Sequence, residues 1–137
     1  VIVLDTNVLV SGLLEGRGSS GRIVRMVASG AIRLAHDRRI LEEYREVLSR
    51  PRFGIRAEEV EAIMEVIEKD GYPAAAAPLA LKLPDPDDAM FMEVAAAVKA
   101  EALVTGNLRH YPAEACRKHG VAVLSPAAFV RKLAESR

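Results

Sequence analysis

Apolar positions along this chain alternate between short unbroken runs and longer segments with helical spacing. Val1-Ile-Val-Leu4 is apolar at every position and stops at Asp5, a pattern that suits a central parallel strand covered on both faces. Further strands are expected at Ala31–His36, Ala102–Thr105 and Val121–Leu124, and a short edge strand at Leu79–Leu83. Between them, Arg22–Ser29 carries Ile23, Val24, Val27 and Ala28 on one face and ends at Gly30. Asp37 is placed to cap a helix whose residues Ile40, Leu41, Tyr44, Val47 and Leu48 keep a clean spacing until Pro51 stops it. The next helix spans Ala57–Asp70, with Val60, Ile63, Met64 and Ile67 on one side. Pro84-Asp-Pro-Asp-Asp88 is a turn opening a helix that buries Phe91, Val94, Ala95 and Val98. A short helix is expected within His110–His119, and Pro126–Ala134 forms a last one with Phe129, Val130 and Leu133 inside.

Strands alternating with helices imply an α/β fold, three layers α/β/α around a mainly parallel sheet, with residues 1–137 as a single domain. Composition agrees: 50% of residues are hydrophobic but 4% are aromatic, so aliphatic side chains and Ala must build the core. Lys plus Arg and Asp plus Glu both number 19. That balance excludes the global basic field of a non-specific nucleic-acid binder, leaving a local rim and bound metal to hold any RNA. Cys116 stands alone, which rules out an internal disulfide and a Cys-based zinc site. The first ten residues lack a basic leader, and no run approaches the roughly 18 apolar residues of a membrane helix. A soluble, cytoplasmic protein is the expectation.

Ligands of an open parallel sheet collect beyond the carboxyl ends of its strands. Asp5 follows the first strand at that end, and Asn107 lies two residues beyond Thr105 at the same end of another. Asp88 shares a helix face with Phe91, Met92 and Ala95, so it leans toward the core edge; Asp87 is assigned the cap and Asp85 the turn. Glu43 is separated from Glu42 and Glu46 by helical phase. At about 100° per residue it lies on the flank of the stripe centred on Ile40, Tyr44 and Leu48, while its two neighbours point away. Carboxylates gathered this way repel one another unless a cation joins them. Oxygen ligands without His or Cys favour Mg²⁺ or Mn²⁺, and the matching chemistry is phosphodiester hydrolysis by metal-activated water. Arg109 and His110 would meet phosphates at the cleft mouth, with Arg17 and Arg22 as weaker candidates.

Four segments, in order, resemble the PIN domain: Asp5-Thr-Asn-Val-Leu-Val-Ser-Gly12; Ile40-Leu-Glu-Glu-Tyr-Arg-Glu-Val-Leu48 with Arg50-Pro51; Pro84-Asp-Pro-Asp-Asp88; and Val104-Thr-Gly-Asn107. The chain is most similar to the PIN toxins of toxin–antitoxin pairs. The resemblance implies a Mg²⁺- or Mn²⁺-dependent endoribonuclease, a homodimer and a cognate antitoxin as partner. It carries the family's acidic positions onto Asp5, Glu43 and Asp88, and the polar groups of its first motif onto Thr6, Asn7 and Ser11. Asn107 stands where the family often has Asp, which leaves the second metal open.

A haloacid-dehalogenase-type phosphatase needs a second acid two residues after the first, where this chain has Asn7. A receiver domain needs a phosphoacceptor Asp near the middle of the chain, and none is evident. The stronger alternative is a PIN-like module that binds RNA or a partner with weak or no cleavage, which Asn107 keeps open.

Overall fold

The computed structural model describes residues 1–136. Its strands and helices run β1 (Val3–Leu4), α1 (Thr6–Leu14), α2 (Ser19–Ala28), β2 (Ala35–His36), α3 (Arg38–Leu48), α4 (Ala57–Asp70), β3 (Tyr72–Pro73), α5 (Ala89–Val98), β4 (Leu103–Val104), α6 (Ala113–His119), β5 (Val123–Leu124) and α7 (Pro126–Glu135). Short 3-10 turns occupy Pro51–Phe53, Pro86–Asp88 and Leu108–His110.

All strand pairs are parallel. β4 lies between β1 and β5, with Leu4 opposite Val104 and Val104 opposite Leu124, while β2 pairs with β3. A parallel bridge between Ile2 and Leu34 joins the two groups, giving the order β3-β2-β1-β4-β5. The chain winds outward from β1 through β2 to β3, then crosses to β4 on the other side of β1. The gap between β1 and β4 is therefore the switch point of the sheet. Helix α5 lies against β1, β2 and β4; α1 packs on α2, and α2 on α7, which reaches β5. This is the expected three-layer α/β/α arrangement. Ile2, Val3, Leu4, Phe91, Met92, Leu103 and Val104 form the centre of the core, each essentially buried. No described helix is long and apolar enough to cross a membrane.

Helix α4 keeps the bounds its periodicity implies, and Asp37 caps α3 by accepting from the Ile40 backbone N–H at 3.0 Å. Three features depart from the sequence pattern. First, Thr6–Leu14 is a helix that hydrophobic periodicity does not announce. Thr6, Val8, Leu9, Val10 and Gly12 are all buried, so no single apolar stripe stands out, and Val8 and Val10 favour a strand. Gly12 lets α1 approach α2: a Cβ there would lie 2.4 Å from Cγ2 of Val24 and 2.6 Å from the Ser20 carbonyl. Second, Leu79–Leu83 forms no strand. The edge position belongs to Tyr72–Pro73, where Pro73 needs no N–H partner on its outer side. Leu79 instead donates its N–H to Glu93 at 2.9 Å. Third, Asp87 caps nothing. Asp85 accepts from the Asp87 N–H at 2.9 Å and starts the 3-10 turn that leads into α5.

Candidate metal centre

Asp5 ends β1 at the switch point, where its backbone N–H still bonds to the Val104 carbonyl at 2.9 Å. The residue is 5% exposed. Two hydroxyls, from Thr105 at the end of β4 and from Tyr111, donate to the same oxygen, Oδ2, each at 2.9 Å. Burial, followed by the charges of Asp5 and Asp88, pushes the Tyr111 hydroxyl far above its ordinary value, so it remains a donor. Tyr44 is held likewise: its buried hydroxyl donates to the Leu4 carbonyl directly below Asp5. The strand end is thus fixed from three sides, and Oδ1 of Asp5 carries none of these donors.

Thr6, the first residue of α1, reaches across to α3 and donates to Glu43 at 2.7 Å. Glu43 is half-buried, whereas Glu42 and Glu46 are exposed and pair with Arg38 and Arg50. The flank position read from helical phase is therefore where this side chain lies. Burial raises the Glu43 carboxyl above its ordinary value. The Thr6 hydrogen bond opposes that shift, and the charges of Asp5, Asp87 and Glu46 reinforce it. Beside Glu43 opens a groove of about 530 Å³, also lined by Arg39, Glu46, Asp87 and Met90.

Asp88 is 8% exposed at the foot of α5, with no capping bond to its side chain. Its carboxyl is pushed up to about 6, first by burial and next by Asp5, against the pull of His110. His110 was expected at the cleft mouth. There its Nδ1 lies 2.9 Å from Oδ2 of Asp88 and its Nε2 2.9 Å from the amide nitrogen of Asn107, with the side chain 35% exposed. The expectation of a centre without histidine is corrected on this point. The 3-10 turn Leu108–His110 brings the ring back over the strand end. Asn107 is itself anchored by its N–H to the Thr105 hydroxyl at 3.0 Å. Among the described residues, Asp85, Asp88 and His110 each offer one donor atom within 4.8 Å of the other two.

The remaining residues singled out from the sequence separate. Asn7 accepts from the Gly106 N–H at 3.0 Å, tying the start of α1 to the turn after β4. Ser11 and Arg109 are exposed, as are Arg17 and Arg22. Sequence reasoning missed Thr105, Tyr111 and Glu93. Tyr111 follows a loop with no periodicity to orient it. Glu93 is the one charged residue of the apolar helix Ala89–Val98, which is the signal the sequence carries; the structure buries it to 6% exposure and pairs it with Arg39 at 2.6 Å.

Burial and mutual repulsion raise Glu43 and Asp88 because this end of the sheet holds more negative charge than its own residues offset. Hard carboxylate oxygens with one imidazole fit a divalent cation, which would supply the missing positive charge. No curated protein matches the chain. A family model, the PIN domain, matches residues 1–109, a span that contains Asp5, Glu43, Asp88 and Asn107. PIN domains are in general metal-dependent nucleases that act on RNA. With four-fifths of its length matched, the chain belongs to the PIN-domain family.

Proposed function

We propose that this protein is an endoribonuclease that hydrolyses RNA phosphodiesters with Mg²⁺ or Mn²⁺ held by Asp5, Glu43 and Asp88, with Asn107 serving the same centre. The observation that carries the reading is the buried Asp5 carboxylate, held by one oxygen at the switch point and coupled by charge to both Glu43 and Asp88. A bound divalent cation would supply Lewis acidity toward the phosphoryl group and toward water. Asp5, oriented by Thr105 and Tyr111, keeps a fixed oxygen available to it. Glu43, with its raised carboxyl and the Thr6 hydroxyl as positioner, is suited to exchange a proton with water in the groove. Asn7, Ser11 and Arg109 are assigned to the RNA side, where an exposed guanidinium meets phosphate.

In the same reading the chain is the toxin of a toxin–antitoxin pair, a single cytoplasmic domain over residues 1–137 that forms homodimers. Supporting the single domain, β5 and α7 lie beyond the matched residues yet extend the sheet and pack on α2. Supporting a protein partner, an apolar groove between α1, α2 and α4 is lined by Leu13, Val24, Ala28, Ala62, Ile63 and Val66.

The test is cleavage of single-stranded RNA by wild type and Asp5→Asn with Mn²⁺, Mg²⁺ or EDTA. Metal-dependent cleavage that the variant loses supports the enzyme. RNA binding without cleavage under every condition overturns it in favour of a binding module. Growth arrest on expression, relieved by the product of a neighbouring short reading frame, tests the toxin assignment.

A further inference from the structure

The pairing of His110 with Asp88 is unusual in what stands behind it. The amide nitrogen of Asn107 faces Nε2 at 2.9 Å. An amide NH₂ only donates, so Nε2 accepts, and the imidazole proton sits on Nδ1, donated to Oδ2 of Asp88 at 2.9 Å. A cation beside Asp88 reverses the demand on Nδ1, which then needs a free lone pair. Rotation of the Asn107 amide by half a turn presents its oxygen to Nε2, which now carries the proton and donates it. A carboxylate at position 107 accepts only, and serves one of the two tautomers; an amide serves both.

We propose that His110 is a further ligand, through Nδ1 and beside Asp85, of the divalent cation held at Asp88, with Asn107 as the positioning residue behind the ring, so that a nitrogen ligand favours Mn²⁺ over Mg²⁺ at this centre. The proposal rests on the reading of this site as a divalent-cation centre. Three observations support it independently of the family. The donor atoms of Asp85, Asp88 and His110 already lie within 4.8 Å of one another. Asp85 has one oxygen engaged by the Asp87 N–H, and its carboxylate has a second. His110 is held at both ring nitrogens, so its plane is fixed before any ion arrives. A nitrogen ligand favours first-row transition ions, of which Mn²⁺ gains least, over Mg²⁺, which prefers oxygen and water.

Mn²⁺ and Mg²⁺ binding are measured by titration calorimetry on the full chain, and the bound Mn²⁺ is examined by pulsed electron paramagnetic resonance. The expected result is Mn²⁺ bound about tenfold or more tightly than Mg²⁺, with a ligand-nitrogen coupling that disappears in His110→Ala. In His110→Gln, which keeps a polar side chain over Asp88, Mn²⁺ affinity falls about tenfold and Mg²⁺ affinity is little changed. Circular dichroism establishes that both variants fold. Mn²⁺ bound without nitrogen coupling, coupling that survives His110→Ala, or no Mn²⁺ binding overturns the ligand assignment. These outcomes are separable from the ribonuclease reading. Cleavage that persists with no nitrogen coupling sinks His110 alone, and nitrogen coupling without any cleavage sinks the ribonuclease alone.

Discussion

The hydroxyl of Tyr111 donates to Oδ2 of Asp5 at 2.9 Å, across 106 positions of sequence. The bond limits the directions in which the other oxygen of the acid can point. Tyr111→Phe removes one of two donors to that oxygen and keeps the ring that fills the core. Thr105 still holds the carboxylate. The fold should lose about 1 kcal/mol, the usual net value of one such bond. RNA cleavage should fall about tenfold in kcat with KM nearly unchanged, since orientation within the site is what is lost. Single-turnover and steady-state assays on one RNA substrate check this; an unchanged kcat would remove Tyr111 from the positioning of Asp5.

Asp88 makes the metal-free protein less stable as pH rises. Its folded value of about 6 lies above the ordinary 3.8. The stabilisation from the protonated carboxyl is therefore fully present below about 3.8 and lost as pH rises through about 6. Near pH 8 in EDTA, Asp88→Asn should melt a few degrees above wild type, roughly the effect of 1 kcal/mol in a chain of this size. The same variant should lose most of the stabilisation that Mn²⁺ gives. A melting temperature equal to or below wild type in EDTA would contradict the electrostatic account.

On the acid side the sensitive group is His36. It is buried at the end of β2, its Nε2 has no hydrogen-bond partner among the described residues, and burial lowers its value below the ordinary 6.5 against the opposing charges of Glu68 and Asp37. A folded value below the unfolded one means that the unfolded chain binds the proton more readily. This contribution to stability is intact above pH 6.5 and is lost as pH falls through and below it. Urea unfolding at pH 8 and pH 5 should show a larger loss in wild type than in His36→Leu. Equal losses would place the acid sensitivity elsewhere.

The pair Arg39–Glu93 ties α3 to α5, and the other oxygen of Glu93 holds the Leu79 N–H. Arg39→Ala leaves a buried carboxylate without its cation. The expected cost is about 1–3 kcal/mol, below the full value for a buried pair because Arg39 is 48% exposed. Glu93→Gln in the same chain should recover part of it, since the amide still accepts from Leu79 without carrying charge. Denaturant midpoints of the single and double variants measure the coupling; simple additivity would argue against it.

Much of this molecule is legible from its sequence, and the limits have physical causes. Asp5 and Asp88 stand at element boundaries, and Glu43 lies on a helix whose apolar stripe fixes its phase, so local pattern places all three. Helix α1 escapes because it is buried on several sides and loses the polar face that marks a helix. The cap at Asp85 rather than Asp87 depends on a 3-10 turn begun by Pro86 that shifts the start of α5. Tyr111 and His110 belong to a loop whose path is set by β4 and α6. Their bonds to Asp5 and Asp88 join positions no local period relates.

The donors to Asp5 come from residues 105 and 111, and its neighbour Thr6 bonds to residue 43. A chain still emerging from a ribosome carries Asp5 early but has nothing to orient it until β4 and the loop after it have been made. For the ribonuclease proposed above, the order of synthesis is then a safeguard. The acids arrive singly, and the candidate centre closes only when about four-fifths of this sequence is free to fold.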